Sequence, residues 1–321
     1  MSIFLPSNLL VSHNKTFDLI SKDSAANVTF DYLKTLTRKG GPIPSEYLEM
    51  NLAMNTLAQL HHSGSVSNQD LETIRGELGE AMTPKTIQGF AYKQPHGYAG
   101  DFEIIEKIYN NHVTAEPHLA NWDKFFQSHS AAQAVRNRVS FFLDQVWSVK
   151  DQPARKARIL NVASGPGRDL HECLNIMGPT GLHFDCVDQD PNAIQHATHL
   201  CQKFTSNVTF FHQNIFKFVA NKTYDLIWSA GLFDYFSDSL FKRVLKRLLP
   251  YLEKSGKLVV GNFADDNPSQ DYMEFFNWIL HHRSAKKLRQ LAQECGIASS
   301  NIQVEKEPAG VNLFLIISAN S

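Results

Sequence analysis

The sequence is poor in cysteine, has no surplus of either charge and lacks any long apolar run, and each shortage removes a class of function. Its four cysteines, at 173, 186, 201 and 295, form no CxxC pair. Buried free thiols are therefore expected rather than disulfides or a zinc site. Lysine and arginine number 31 against 32 aspartates and glutamates, with no basic run. That balance argues against a broad nucleic-acid or membrane footprint and leaves a small-molecule partner. No stretch approaches the length of a bilayer span, and the apolar piece at 3–11 has no basic region before it, so a cytoplasmic protein with no membrane span is expected. A zinc-protease pattern starts at His171-Glu172 and fails at Asn175. The pairs His61-His62 and His281-His282 would point about 100° apart on helices, which is poor ligand geometry. No metal is expected, and there is neither a phosphate loop nor a serine elbow.

What the chain does have is concentrated at 158–190. Residues 159–163 are an apolar run that reads as a buried strand, followed by Ser164-Gly165-Pro166-Gly167 and a helix opening at Asp169. Such a turn presents backbone N–H groups at a helix N-terminus, as nucleotide-type cofactor sites do. A second strand at 183–187 ends in Asp188, placed to take both hydroxyls of a ribose. The third glycine of a dinucleotide fingerprint is replaced by Leu170, and Asp169 puts a negative charge where a pyrophosphate would lie. A cofactor with no phosphate and a positive charge fits better. The arrangement resembles the class I methyltransferase core, which implies S-adenosylmethionine. By that resemblance Ala163, Gly165, Pro166 and Gly167 form the turn beside the methionine end and Asp169 takes its amino group. Asp188 takes the ribose, Gln189 and Asn214 flank the adenine, and Ser229 and Ala230 face the sulfonium.

Around this centre, strands alternate with helices. Further strands are expected at 208–212, 224–230, 257–263, 301–305 and 311–318, with helices at 191–204, 237–252 and 285–295. The expected fold is α/β: a Rossmann-like core with a seven-stranded, mostly parallel sheet at 151–321, preceded by a mainly helical region at 1–150. In the latter, helical spacing occupies 30–36, 45–62 and 68–82, with Ser45 and Asn68 as N-caps. A longer helix spans 120–146, and its Arg136 and Arg138 read by default as solvated, or else as holding an acidic group of substrate or lid. The pieces before residue 30 carry no clear pattern.

Between the two regions lies His96-Gly97-Tyr98-Ala99-Gly100-Asp101, before an amphipathic helix starting near Phe102. One reading makes Asp101 the helix N-cap. The other makes the loop a lid over the cofactor, with Asp101 among its ligands and Tyr98 reaching the reacting atoms.

GYAGDFE at 97–103, AAQAVRNR at 131–138, GLFDYF at 231–236, and GNF at 261–263 with the later WILHHR at 278–283 resemble a bacterial methyltransferase family of extracellular-factor biosynthesis, whose named product is 3-hydroxypalmitic acid methyl ester. The resemblance implies carboxyl O-methylation of a hydroxy fatty acid or related acid. Where that family often has Tyr, this chain has His282. A carboxylate is already ionised at pH 7 and needs no base, whereas a hydroxyl or amine acceptor does. The candidates for proton handling or positioning are Asp234, Tyr235 and Tyr98. For the acid, Met273, Trp278, His282 and Arg283 are expected on one helix after Asn262, with Phe233 nearby, giving an apolar lining that ends in cations; the same Met, Phe and Trp spacing also reads as core, with Arg283 capping the helix end. N- or O-methylation of an amino-acid-like or natural-product substrate is the alternative, and a cofactor-binding regulator without turnover is a third. Composition leaves the oligomeric state open.

Overall fold

The computed structural model describes residues 24–150 and 155–319; the apolar pieces before residue 24 lie outside the described residues. Seven strands form one sheet in the order β3-β2-β1-β4-β5-β7-β6. They are β1 (Ala157–Val162), β2 (Leu182–Asp188), β3 (Val208–His212), β4 (Tyr224–Ser229), β5 (Leu252–Phe263), β6 (Ile302–Lys306) and β7 (Asn312–Ser318). The first five run parallel, while β7 is antiparallel to both β5 and β6. This is the expected Rossmann-like sheet. Central β4 is buried along its whole length, and edge strands β3 and β6 are half exposed, the pattern of a sheet covered on both faces. The order reverses between β1 and β4, where an open α/β sheet leaves a crevice at its carboxyl edge. β5 starts five residues earlier than the spacing implied. An irregularity between Tyr224 and Leu226 absorbs the extra length, with Gly256 so close to the Tyr224 carbonyl that a Cβ would lie 2.7 Å from it.

Before the sheet come α1 (Ser24–Arg38), α2 (Tyr47–His62), α3 (Asn68–Glu77), α4 (Ile87–Lys93), α5 (Phe102–Tyr109), α6 (Ala120–Ser128) and α7 (Ser130–Lys150). Several starts differ from the sequence reading. Ser45 lies inside a 3-10 turn, Pro44–Glu46, and α2 begins at Tyr47. Ser67, not Asn68, caps α3: its Oγ accepts from Asp70 N while the Asp70 carboxylate accepts from Ser67 N. That helix stops at Glu77, before Gly79 at φ +55°. The expected helix at 120–146 is two helices, because His129 is extended (ψ 143°) and its ring stacks on Tyr272 at 4.1 Å. α4, with Thr86 as its cap, is too short to show in the periodicity.

Helices α8 (Arg168–Met177), α9 (Pro191–Leu200), α10 (Asp238–Leu248), α11 (Gln270–Phe275) and α12 (Ala285–Glu294) complete the chain. Two sheet-face cores and a helical core result, and α7 serves two of the three. Its Ala131, Ala134 and Val135 join the N-terminal helices, while Phe142, Val146 and Val149 join β1, β2 and β4. Residues 263 and 272–280 also enter the helical core, so the two halves share side chains across the expected boundary at 150. Cys173, Cys186 and Cys201 are buried free thiols. Among the described residues no helix is long and apolar enough to cross a membrane, and none group as metal ligands.

Candidate active site

A cavity of about 380 Å³ opens at the carboxyl ends of β1, β2 and β4 and runs from Asp188 to Trp278. Its first wall is the turn after β1. Ala163 (φ +54°) and Gly165 (φ +53°) both take the left-handed conformation, which for alanine is strained and held by its surroundings. A Cβ on Gly165 would meet no protein atom within 4 Å; it would project into the cavity, so the glycine reserves room for a ligand. Gly167 (φ +69°) does something else. Its missing Cβ would lie 2.9 Å from that of Ala197, so it lets α8 approach α9 and does not line the cavity.

Asp188 ends β2 with its carboxylate turned back to the turn. Gly165 N donates to Oδ2 at 2.8 Å and Asp190 N to Oδ1 at 2.9 Å. Burial pushes its pKa up while those N–H groups pull it down. Each oxygen keeps a lone pair for a further donor, the pattern that two vicinal hydroxyls require. Asn214 Nδ2 donates to Gln189 Oε1 at 2.7 Å, which joins the two proposed adenine neighbours on the cavity wall. Asp169 accepts from Trp228 Nε1 and Leu170 N, and burial pushes its carboxyl up to about 6. An ammonium group beside it would reverse that shift. Pro166 and Ala230 line the cavity; Ser229 lies just behind, fully buried with its Oγ unpartnered.

The loop before α5 covers this end. Tyr98 lines the cavity and its hydroxyl donates to Asp190 Oδ2 at 2.8 Å. Asp101 instead accepts from Glu103 N and Ile104 N as the N-cap of α5, outside the lining. The ion pair of Glu106 with Arg168 ties α5 to the first turn of α8.

The far end is built from distant parts of the chain. Arg138, expected in solvent, is 4% exposed and lines the cavity. Its Nε and Nη2 both donate to Asn312 Oδ1, at 3.1 and 2.8 Å, and its guanidinium lies over the Phe263 ring. Nη2 is 3.6 Å from Asp234 Oδ2. Nη1 has no hydrogen-bond partner among the described residues and sits where a Gly231 Cβ would approach to 2.8 Å. Asp234 accepts from Phe263 N at 2.7 Å, and burial raises its carboxyl to about 7. Tyr235 accepts from Trp278 Nε1 at 3.1 Å, and both rings line the cavity.

Five expected acid-binding residues do not reach it. The chain leaves α11 at Phe275, so 277–284 is irregular rather than helical. Arg283, 3% exposed, is spent on the Phe233 and Phe236 carbonyls and Asn262 Oδ1. It cross-links two loops, which corrects the reading of a free cation. Asn262 is held in that link, and His282 Nε2 faces Asn267. Phe233 is buried against Phe236 and Phe241, and Met273 lines a separate small void. The signal that favours the ligand reading of Arg138 over the solvated default is its spacing: Ala131, Ala134, Val135, Phe142 and Val146 form one buried stripe on α7, and a cation within such a stripe is a buried charge.

Residues 159–256 match the family model described as a methyltransferase domain. No curated protein matches the sequence. Among solved structures, one described as a possible exported protein from Bordetella parapertussis has a TM-score of 0.58 at 17% identity, covering 92% of this chain and 97% of that one. Magnesium protoporphyrin IX methyltransferase from Synechocystis, solved with SAH bound, has a TM-score of 0.51 at 11% identity, covering 73% of this chain and 98% of that one. At such identities the likeness is one of fold, and with the first structure it extends through the N-terminal helices. Sheet order and turn are those of the class I methyltransferase fold, and the match at 159–256 makes the enzyme a methyltransferase. That fold implies S-adenosylmethionine as cofactor, and the residues present fit it, with open space at Gly165 and the carboxylates of Asp188 and Asp169 on the cavity wall beside the turn.

Proposed function

We propose that this methyltransferase esterifies the carboxylate of a small, largely apolar acid. Arg138 carries the reading: a buried guanidinium with one nitrogen unclaimed, against Gly231 and beside rings. In such surroundings the favoured partner is a carboxylate, through a charge-assisted hydrogen bond. Support also comes from the stretches that resemble the extracellular-factor family. Tyr98, Gly100 and Phe102, then Arg138, then Asp234 and Tyr235, then Phe263 and Trp278 all line this one cavity. Its volume, about 380 Å³, lies near the low end of the roughly 300–1,000 Å³ that hold one drug-sized ligand. With cofactor and acceptor sharing it, a short acid is favoured over a long enclosed acyl chain.

The bound cofactor supplies an electrophilic methyl group. The chain's task is then to align a lone pair and exclude water. Asp188 and the glycine turn hold one end of the cavity, Tyr98 closes over it, and Arg138 fixes the acceptor oxygen near Ala230 and Gly231. No proton has to move.

One observation favours a second reading, in which a hydroxyl or amine is methylated. Asp234, raised to about 7, is poised as a general base at neutral pH. The discriminating experiment offers acids, alcohols and amines with labelled cofactor to the wild type and to Asp234→Asn. A product lost on mild alkaline hydrolysis, still formed by Asp234→Asn within about tenfold, is the expected result. A base-stable product whose formation collapses in that variant would establish the second reading, and cofactor binding without transfer to any acceptor would leave a regulator.

A further inference from the structure

The acceptor end of the cavity stops at two rings, Phe263 and Trp278, and the same rings wall a second void on their other side. That void, about 10 Å³, has room for about one water. Ile108, Phe126, Ala132 and Met273 make it apolar, with His129 among its lining. His129 is 8% exposed and its Nδ1 lies 2.9 Å from the Phe125 carbonyl, which places the ring proton on Nδ1. Nε2 is then a buried lone pair, and it has no partner. Burial lowers the ring's pKa to about 4, so it stays neutral and offers only an acceptor.

Trp278 is the movable part of the partition. It follows Asn277 at φ +62°, in the irregular stretch after α11, and its one side-chain hydrogen bond is to Tyr235 Oη. Phe263, by contrast, ends β5, with its backbone tied to Asp234 and Arg283.

We propose that Trp278 sets the length of the methyl acceptor, by closing the chamber in front of an apolar subsite whose polar end is His129 Nε2. The proposal rests on the acid-methylation reading for the acceptor's identity, but not for its geometry. Wild type takes short acids. Shortening residue 278 joins the void to the chamber, and the added room accepts methylenes and, at the far end, a hydroxyl that donates to His129.

The test uses the full chain with S-adenosylhomocysteine bound. Dissociation constants for straight-chain carboxylic acids of increasing length, and for their terminally hydroxylated forms, are measured calorimetrically for wild type, Trp278→Phe, Trp278→Leu and Trp278→Ala. Methyl ester formation is followed in parallel with S-adenosylmethionine. A buried methylene is worth about fourfold in affinity, so acids about two methylenes longer should bind Trp278→Ala or Trp278→Leu roughly tenfold tighter than wild type. Trp278→Phe should keep the wild-type order. The terminal hydroxyl should improve binding to Trp278→Ala severalfold, and adding His129→Phe should remove that gain. An unchanged length order in folded Trp278→Leu that binds S-adenosylhomocysteine normally overturns the proposal, whatever turnover shows. A shifted order without esterification of any acid leaves the length-setting role standing and overturns the acid-methylation reading.

Discussion

The two ends of the cavity are made differently. At the Asp188 end, two neighbouring parallel strands deliver the turn after Val162 and Asp188, and main-chain N–H groups fix the carboxylate. At the acceptor end, Arg138, Asp234, Phe263 and Trp278 come from four separate places in the chain, held by side chains such as Asn312. A site built on main chain depends on a few residue types in one short stretch. One built on side chains depends on every element that brings them together, and can be retuned by any of them.

Substitutions at the two ends should therefore separate cofactor binding from acceptor use. The largest effect is expected at Asp188→Ala. On the proposed ribose role, losing this carboxylate should weaken S-adenosylhomocysteine binding at least about 100-fold, at about 1.5–3 kcal/mol per charged hydrogen bond; calorimetric titration reads this. A loss below tenfold would move the ribose elsewhere.

Arg138→Ala should come next, with kcat/KM for acids falling about 30-fold or more and S-adenosylhomocysteine binding changed less than threefold. Equal losses in both would merge the two ends into one site.

At Asp234 the comparison is sharpened by pH. The folded chain holds its proton up to about pH 7, whereas an unfolded chain releases it near 4. Stability contributed by this group therefore falls as pH rises from about 4 to 7. Asp234→Asn should gain several degrees in Tm relative to wild type across that window, measured by thermal unfolding at pH 4.5 and 7.5. A constant difference would mean that Arg138 keeps Asp234 ionised throughout.

Smaller effects belong to the covering loop. Asp101→Ala removes an N-cap and should cost about 1 kcal/mol of stability with kinetics changed less than twofold. Tyr98→Phe loses only the bond to Asp190 and should weaken cofactor binding by a factor of about 3–10, at unchanged Tm. If Asp101→Ala instead changed cofactor affinity at constant stability, its carboxylate would belong to the site.

The same contrast explains what could be read from the chain before folding. The strands, the turn at 164–167 and the place of Asp188 at the end of the second strand were legible because strand, turn and carboxylate follow one another in a stretch of about 30 residues with its own physical logic. Arg138 was not. Whether a cation on a helix meets water or Asn312 is decided by β7, more than 170 residues away. Arg283 failed in the opposite way: the aromatic spacing at 273–278 looked helical, but α11 ends at Phe275 and loop carbonyls claim the guanidinium. Ser45 and Asn68 were each misplaced by a local choice, a proline-led turn and a better hydroxyl one position earlier.

Helix α7 carries a final consequence. One of its ends is sealed into the helical core and the other into the sheet, so it has no independent way to open. In hydrogen exchange its central amides, around Arg138 and Phe142, should be among the slowest and should exchange together with those of β1 and β4, as one cooperative unit. A chain cut at residue 150 would leave β1 and β4 without Phe142 and Val146, exposing an apolar face. The catalytic half should thus be inseparable from its N-terminal partner, and recombination between relatives should succeed only where α7 travels with both.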